Sequence, residues 1–223
     1  MVKKALKWTY LMLILFFLYA PIVVMIALSF NASRSSAAWT GFTFDWYKDL
    51  LGDAKIMDAL KVTLSVAVIA TAVSTVLGTL AAIGIHGMKK GWAGWILNVS
   101  YLPMTMPDIV TGVSIMMLFV VLKMERGYWT MVMAHIAFDT PYVLFSVLPK
   151  LKQMDPNMYE AALDLGCKPF KALTKVIVPQ VTPGIVTGGL LAFTMSIDDF
   201  IISYFTSGPP SQTLPITIYA MTR

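Results

Sequence analysis

Three things are scarce in this sequence: cysteine, charge and catalytic signatures. One cysteine in 223 residues excludes an internal disulfide framework and a cysteine-based zinc site. Charged residues make up 13%, against roughly a quarter in a soluble domain. There is no G-x-x-x-x-G-K-S/T phosphate loop and no G-x-S-x-G nucleophile elbow. What remains is apolar. Hydrophobic residues reach 57% and mean hydropathy is +0.72. A soluble globule of this length could not hide so much apolar side chain, and the same numbers exclude disorder. The chain reads as an integral membrane protein. Its net charge of +5 then bears on topology, not on nucleic-acid binding.

A bilayer core of ~30 Å needs about 20 apolar residues in a helix. Five stretches qualify, at about 8–30, 59–85, 95–122, 128–148 and 176–205. Among them only Lys61, at the mouth of the second, is basic. The first is longer than the apolar run of a cleaved secretory signal, so it reads as a signal anchor. With the N-terminus inside, ten Lys or Arg fall on the inner side and seven on the outer. That bias favours a cytoplasmic N-terminus. Arg223 then lies outside, after a Gly-Pro-Pro turn and an apolar piece, Leu214 to Met221, too short to cross. The outer loop before the second stretch holds an amphipathic run from Phe44 to Leu51, whose aromatics suit the membrane interface.

The only sizeable inner loop is 150–175. Asp155 is a good N-cap and Pro156 suits the first helical position. Gly166 suits a left-handed stop. A second short helix is expected from Lys168-Pro169 to Val178, broken by Pro179. Either an ordinary interfacial helix–turn–helix or a docking knob fits this punctuation.

Glu160-Ala161-Ala162, then Gly166, then Val176-x-Val178-Pro179 resembles the EAA loop of binding-protein-dependent ABC importer permeases. Val replaces the family's Ile and Leu in the last element. Trp46-Tyr47, Leu102-Pro103, Pro107-Asp108-Ile109-Val110-x-Gly112 and Ser196-Ile197-Asp198-Asp199-Phe200 resemble the spermidine/putrescine branch of that family. The resemblance covers nearly the whole chain. It implies an all-α, polytopic transmembrane bundle of the type I importer kind, one permease domain over 1–223, in a bacterial inner membrane. Such permeases have six spans, so a sixth is expected beyond the five seen. It also implies that Glu160, Ala161, Ala162 and Gly166 contact an ATP-binding cassette ATPase dimer. The remaining implied partners are a second homologous permease and an extracytoplasmic polyamine-binding protein. ATP and magnesium would belong to the ATPase, and no cofactor or metal to this chain.

The residues themselves add a second line. Asp108, Asp139, Asp198 and Asp199 fall within or at the edges of spans, where each costs on the order of 2.5–3.5 kcal/mol. Asp198 lies ~28 Å along a helix from Pro179, near the outer mouth. No Lys or Arg shares that span, while Phe193, Phe200, Tyr204 and Phe205 do. Carboxylates among rings suit an organic polycation, each ring adding about 0.5–2 kcal/mol. The other reading has both acids capping a helix end. The pathway role, by Asp198, Asp199, Phe200 and Tyr204, is favoured.

Asp108 after Pro107 reads as the cap of a helix restart. His135 and Asp139, four apart, can pair on one helix face. Gly184 and Gly188 form a GxxxG that brings two helix backbones together, within the chain or across a subunit interface. Sixteen methionines read as gap filling, not as a metal stripe. Two other functions stand behind a polyamine permease: a permease for another small solute (iron or opine-like), and, remotely, an intramembrane aspartyl protease. The protease would need carboxylates ~3 Å apart, and adjacent Asp198 and Asp199 diverge on a helix.

Overall fold

Away from water a helix satisfies its own backbone, and this apolar chain is helical nearly throughout. The computed structural model describes residues 2–35, 37–209 and 211–222. Pro210 of the Gly-Pro-Pro turn, and Arg223, lie outside them. The helices are α1 (Val2–Leu28), α2 (Asp45–Gly52), α3 (Ala54–His86), α4 (Lys90–Thr105), α5 (Asp108–Val121) and α6 (Tyr128–Gln153). After them come α7 (Met158–Asp164), α8 (Pro169–Ala172), α9 (Val178–Asp198), α10 (Ile201–Thr206) and α11 (Leu214–Met221). Among the described residues four helical runs are long and apolar enough to cross a membrane, within α1, α3, α6 and the continuous run Pro169–Asp198, or five if the bent pair α4–α5 counts as one.

The chain forms two compact units, Met1–Met57 and Asp58–Arg223. In the first, Asn31 organises the turn after α1. Its side-chain Nδ2 donates to the Ala38 carbonyl at 2.8 Å and its side-chain Oδ1 accepts the Thr40 N–H at 3.0 Å. Trp46 Nε1 donates to the Asn31 carbonyl at 2.8 Å, tying α2 to that turn. Phe44 of the amphipathic run packs with two rings that precede it: Phe30 stacks on Phe42 at 5.2 Å and meets Phe44 edge-on at 5.5 Å.

In the second unit α6 is the hub. Val143, fully buried, sits where α3 and α9 both press on α6. A Cβ on Gly78 of α3 would come within 2.6 Å of Val143, and one on Gly188 of α9 within 2.8 Å. A Cβ on Gly184 would meet the Ser146 carbonyl at 2.8 Å. The GxxxG therefore faces α6 of the same chain.

The structure departs from the expected elements at four places. The stretch 95–122 is two helices, α4 and α5, bent by 110°. Met106 precedes Pro107, and the proline ring forces it into an extended conformation (ψ 148°) that no helix continues. The stretch 176–205 is also divided, because Asp199 is extended (ψ 126°) between α9 and α10. In the inner loop, Asp155 accepts the Asn157 N–H at 2.9 Å in a turn, so α7 starts two residues later than expected. Pro179 does not break the chain. One wide π turn, Leu173–Ile177, joins α8 to α9 and makes room for the proline ring.

Candidate translocation site

Asp198, Asp199, Phe200 and Tyr204 lie together at the break between α9 and α10. Its two aspartates differ sharply. Asp198 ends α9 and is exposed. Asp199, its side chain 9% exposed, turns back and accepts the Ile202 N–H at 3.1 Å and the Ser203 N–H at 2.7 Å. It therefore satisfies the amides at the start of α10. His135 of α6 braces the same break. Its Nδ1 lies 2.6 Å from the Ser196 hydroxyl on α9, and its Nε2 3.0 Å from the Ser203 hydroxyl on α10. Nε2 is also 3.5 Å from the Asp199 carboxylate. One imidazole thus joins both sides of the break.

The expected His135–Asp139 pair is not formed. Both ring nitrogens are taken by serines of other helices, which leaves none for a carboxylate on the same face. Asp139 is fully buried, and neither of its oxygens has a hydrogen-bond partner among the described residues. With neither oxygen hydrogen-bonded, Asp139 shares no proton with another carboxylate, and no dyad of the protease kind is assembled among the described residues. Asp108 is the first residue of α5, not its cap; Pro107 holds the cap position and no side chain caps the helix. Asp108 is exposed. Gly112, one turn on, lets α5 approach α10: a Cβ there would meet the Phe205 ring at 3.1 Å.

Rings line the stretch beside Asp198 and Asp199. Phe200 stacks with Tyr204 at 5.6 Å and meets Tyr219 of α11 at 5.0 Å. Tyr204, 53% exposed, also meets Phe205 edge-on at 5.6 Å. Among the described residues no Lys or Arg pairs with Asp108, Asp139, Asp198 or Asp199; the ion pairs are Lys48–Asp45, Lys61–Asp58 and His135–Asp199. No group of three or more metal-ligating side chains is clustered among the described residues.

The inner loop presents a different surface. Glu160 and Ala161 on α7 are exposed, and Leu165 just beyond it is 88% exposed. Ala162 is buried, packing the helix down. Gly166 takes φ +84°, a left-handed stop that other residues rarely adopt.

Neither Ser203 nor the bracing role of His135 was marked in the sequence. Ser196 and Ser203 are seven positions apart and could share one helix face, but nothing local in the sequence marks His135 as the partner of both.

The fold and this site define a membrane subunit. Residues 74–222 match the family described as "Binding-protein-dependent transport system inner membrane component", and the chain belongs to that family. It is 34% identical, over 100% of its length and 84% of the relative's, to the spermidine/putrescine transport system permease protein PotC of Escherichia coli (strain K12). To the putrescine transport system permease protein PotI of the same strain it is 37% identical, over 93% of this chain and 76% of that one. Among solved structures, a bacterial ABC transporter that imports the acidic polysaccharide alginate shares the fold. Its TM-score is 0.78 at 14% identity, over 99% of this chain and 79% of that one.

Proposed function

We propose that this chain is one membrane half of an ATP-driven polyamine importer. The observation that carries the reading is the α9–α10 break: an exposed carboxylate, Asp198, two positions before Phe200, whose ring stacks with Tyr204, with no Lys or Arg paired to it among the described residues. A flexible organic polycation fits that chemistry through charge-assisted contacts and cation–π attraction. The names of the relatives agree with it. Asp199 and His135 hold the break in shape so that Asp198 stays presented to the pathway.

The chain brings no nucleotide site. Motion comes from a partner ATPase dimer, which supplies ATP and magnesium and grips α7 through Glu160, Ala161 and the Gly166 turn. A second permease completes the pathway, and an extracytoplasmic binding protein delivers the polyamine. The N-terminus and the α7–α8 loop face the cytoplasm.

The test is uptake of labelled putrescine and spermidine by the assembled transporter in proteoliposomes. Asp198→Asn should lower polyamine uptake about tenfold, the size of one charge-assisted contact, while the complex still assembles. Unchanged uptake removes Asp198 from the pathway. Transport of an iron chelate or an opine in place of polyamines replaces the substrate class.

A further inference from the structure

Away from the translocation site, three helix ends meet at one level. α3 ends at His86, α4 begins at Lys90, and α6 runs out through Lys152. Between them lies a cavity of about 310 Å³. Its walls include the apolar Ile85, Leu97 and Leu148, and its polar groups are His86, Lys90 and Lys152. No carboxylate lines it, and neither lysine is in an ion pair among the described residues. Two of the outer lysines, Lys48 and Lys61, are by contrast each paired with an aspartate three residues away. His86 also lines a second cavity with Tyr159 of α7 and Phe170 of α8, which puts the site at the inner-loop end.

Depth is marked by aromatics. Trp92 and Trp95, on the first turns of α4, are 70% and 64% exposed. Exposed tryptophans just past a pair of lysines are the pattern of a helix entering the bilayer at headgroup level. Two uncompensated cations over an apolar slot, at that depth, complement a phosphate joined to an acyl chain. A basic pocket between transmembrane helices on the cytoplasmic side is suited to an anionic headgroup.

We propose that this cavity binds an anionic phospholipid, with Lys90 and Lys152 on the phosphate and the acyl chain against Leu97 and Leu148. The site ties α3, α4 and α6 together next to the inner loop and makes the transporter responsive to lipid charge. The proposal is independent of the transported solute; it needs only these helix ends at headgroup depth.

The experiment titrates phosphatidylglycerol onto the full chain in detergent and counts bound lipid by native mass spectrometry. Lys90→Gln with Lys152→Gln should weaken phosphatidylglycerol binding about tenfold, and phosphatidylcholine binding should not change. Lys48→Gln with Lys61→Gln should change neither. Gly94 also lines the cavity, and a Cβ there meets nothing within 4 Å. Gly94→Met should therefore fill the slot without a clash and weaken lipid binding with both charges intact. Equal binding by the lysine variant and the wild type overturns the proposal, as does full binding by Gly94→Met. Displacement by excess inorganic phosphate would assign the site to a free anion instead. Displacement by the ATPase subunit would assign it to a protein contact.

Discussion

Asp108 and Asp199 each stand where a helix restarts after a break, yet their surroundings are opposite. At Asp108 the break is local. Pro107 forces the residue before it out of the helix, the carboxylate stays exposed, and no side chain caps the new helix. At Asp199 no proline is present. The break is held by two backbone amides on the carboxylate and by one imidazole bridging serines from both sides. A proline break needs nothing from the rest of the fold. The other exists only because α6 lies close enough to α9 for His135 to reach, and Gly184 and Gly188 allow that approach.

Gly188→Leu would drive a side chain into the α6 backbone near Val143. A loss of about 3 kcal/mol is expected, read as lost folded protein on size exclusion and a collapsed Tm in detergent. Next comes the braced break. Asp199→Ala leaves two amides of α10 unsatisfied in a buried place and should cost about 2 kcal/mol. Asp108→Ala removes an exposed, uncapping carboxylate and should stay within about 0.5 kcal/mol. Thermal unfolding of the two variants side by side reads the difference; equal shifts would mean that the two breaks are held alike.

A third helix start faces water, with its aspartate side chain 73% exposed. Asp45 opens α2, and the hydrogen bond from Thr43, followed by Lys48, holds its carboxyl below the ordinary carboxylate value. A depressed folded-state pKa gives a contribution that is present above the unfolded value and lost as pH falls through the folded one. Trp46 fluorescence should therefore report loosening of α2 only in strong acid. Thr43→Val should move that transition to higher pH. A midpoint that does not move would mean that Thr43 does not hold Asp45.

The helical architecture was legible in the sequence because apolar length and helix punctuation are local properties. α6 begins at Tyr128 as expected, Leu214–Met221 is a short helix, and Gly166 is left-handed. The bend at Pro107 carried a local mark too, although the sequence does not give its 110° angle. The division at Asp199 was hidden. Its cause lies 61 and 68 residues away in sequence, in the contacts of His135 with Ser196 and Ser203. For the same reason the His135–Asp139 pairing failed: spacing places two side chains on one helix face, but other helices decide which of them finds a partner. Residue types alone could not separate Asp198 from Asp199, since only the turn of the backbone exposes one and buries the other.

The proposed coupling has a partner ATPase hold the α7 turn and move this membrane half. The most direct measurement is ATP-dependent putrescine uptake, with ATP hydrolysis followed in parallel, by the reconstituted transporter carrying Gly166→Leu. Leucine is strained at φ +84°, so the turn should be displaced and uptake should fall by about tenfold or more. Hydrolysis should no longer respond to the loaded binding protein. Full, ATP-coupled uptake by this variant, or accumulation of putrescine by the wild-type membrane subunits without any ATPase, would contradict it.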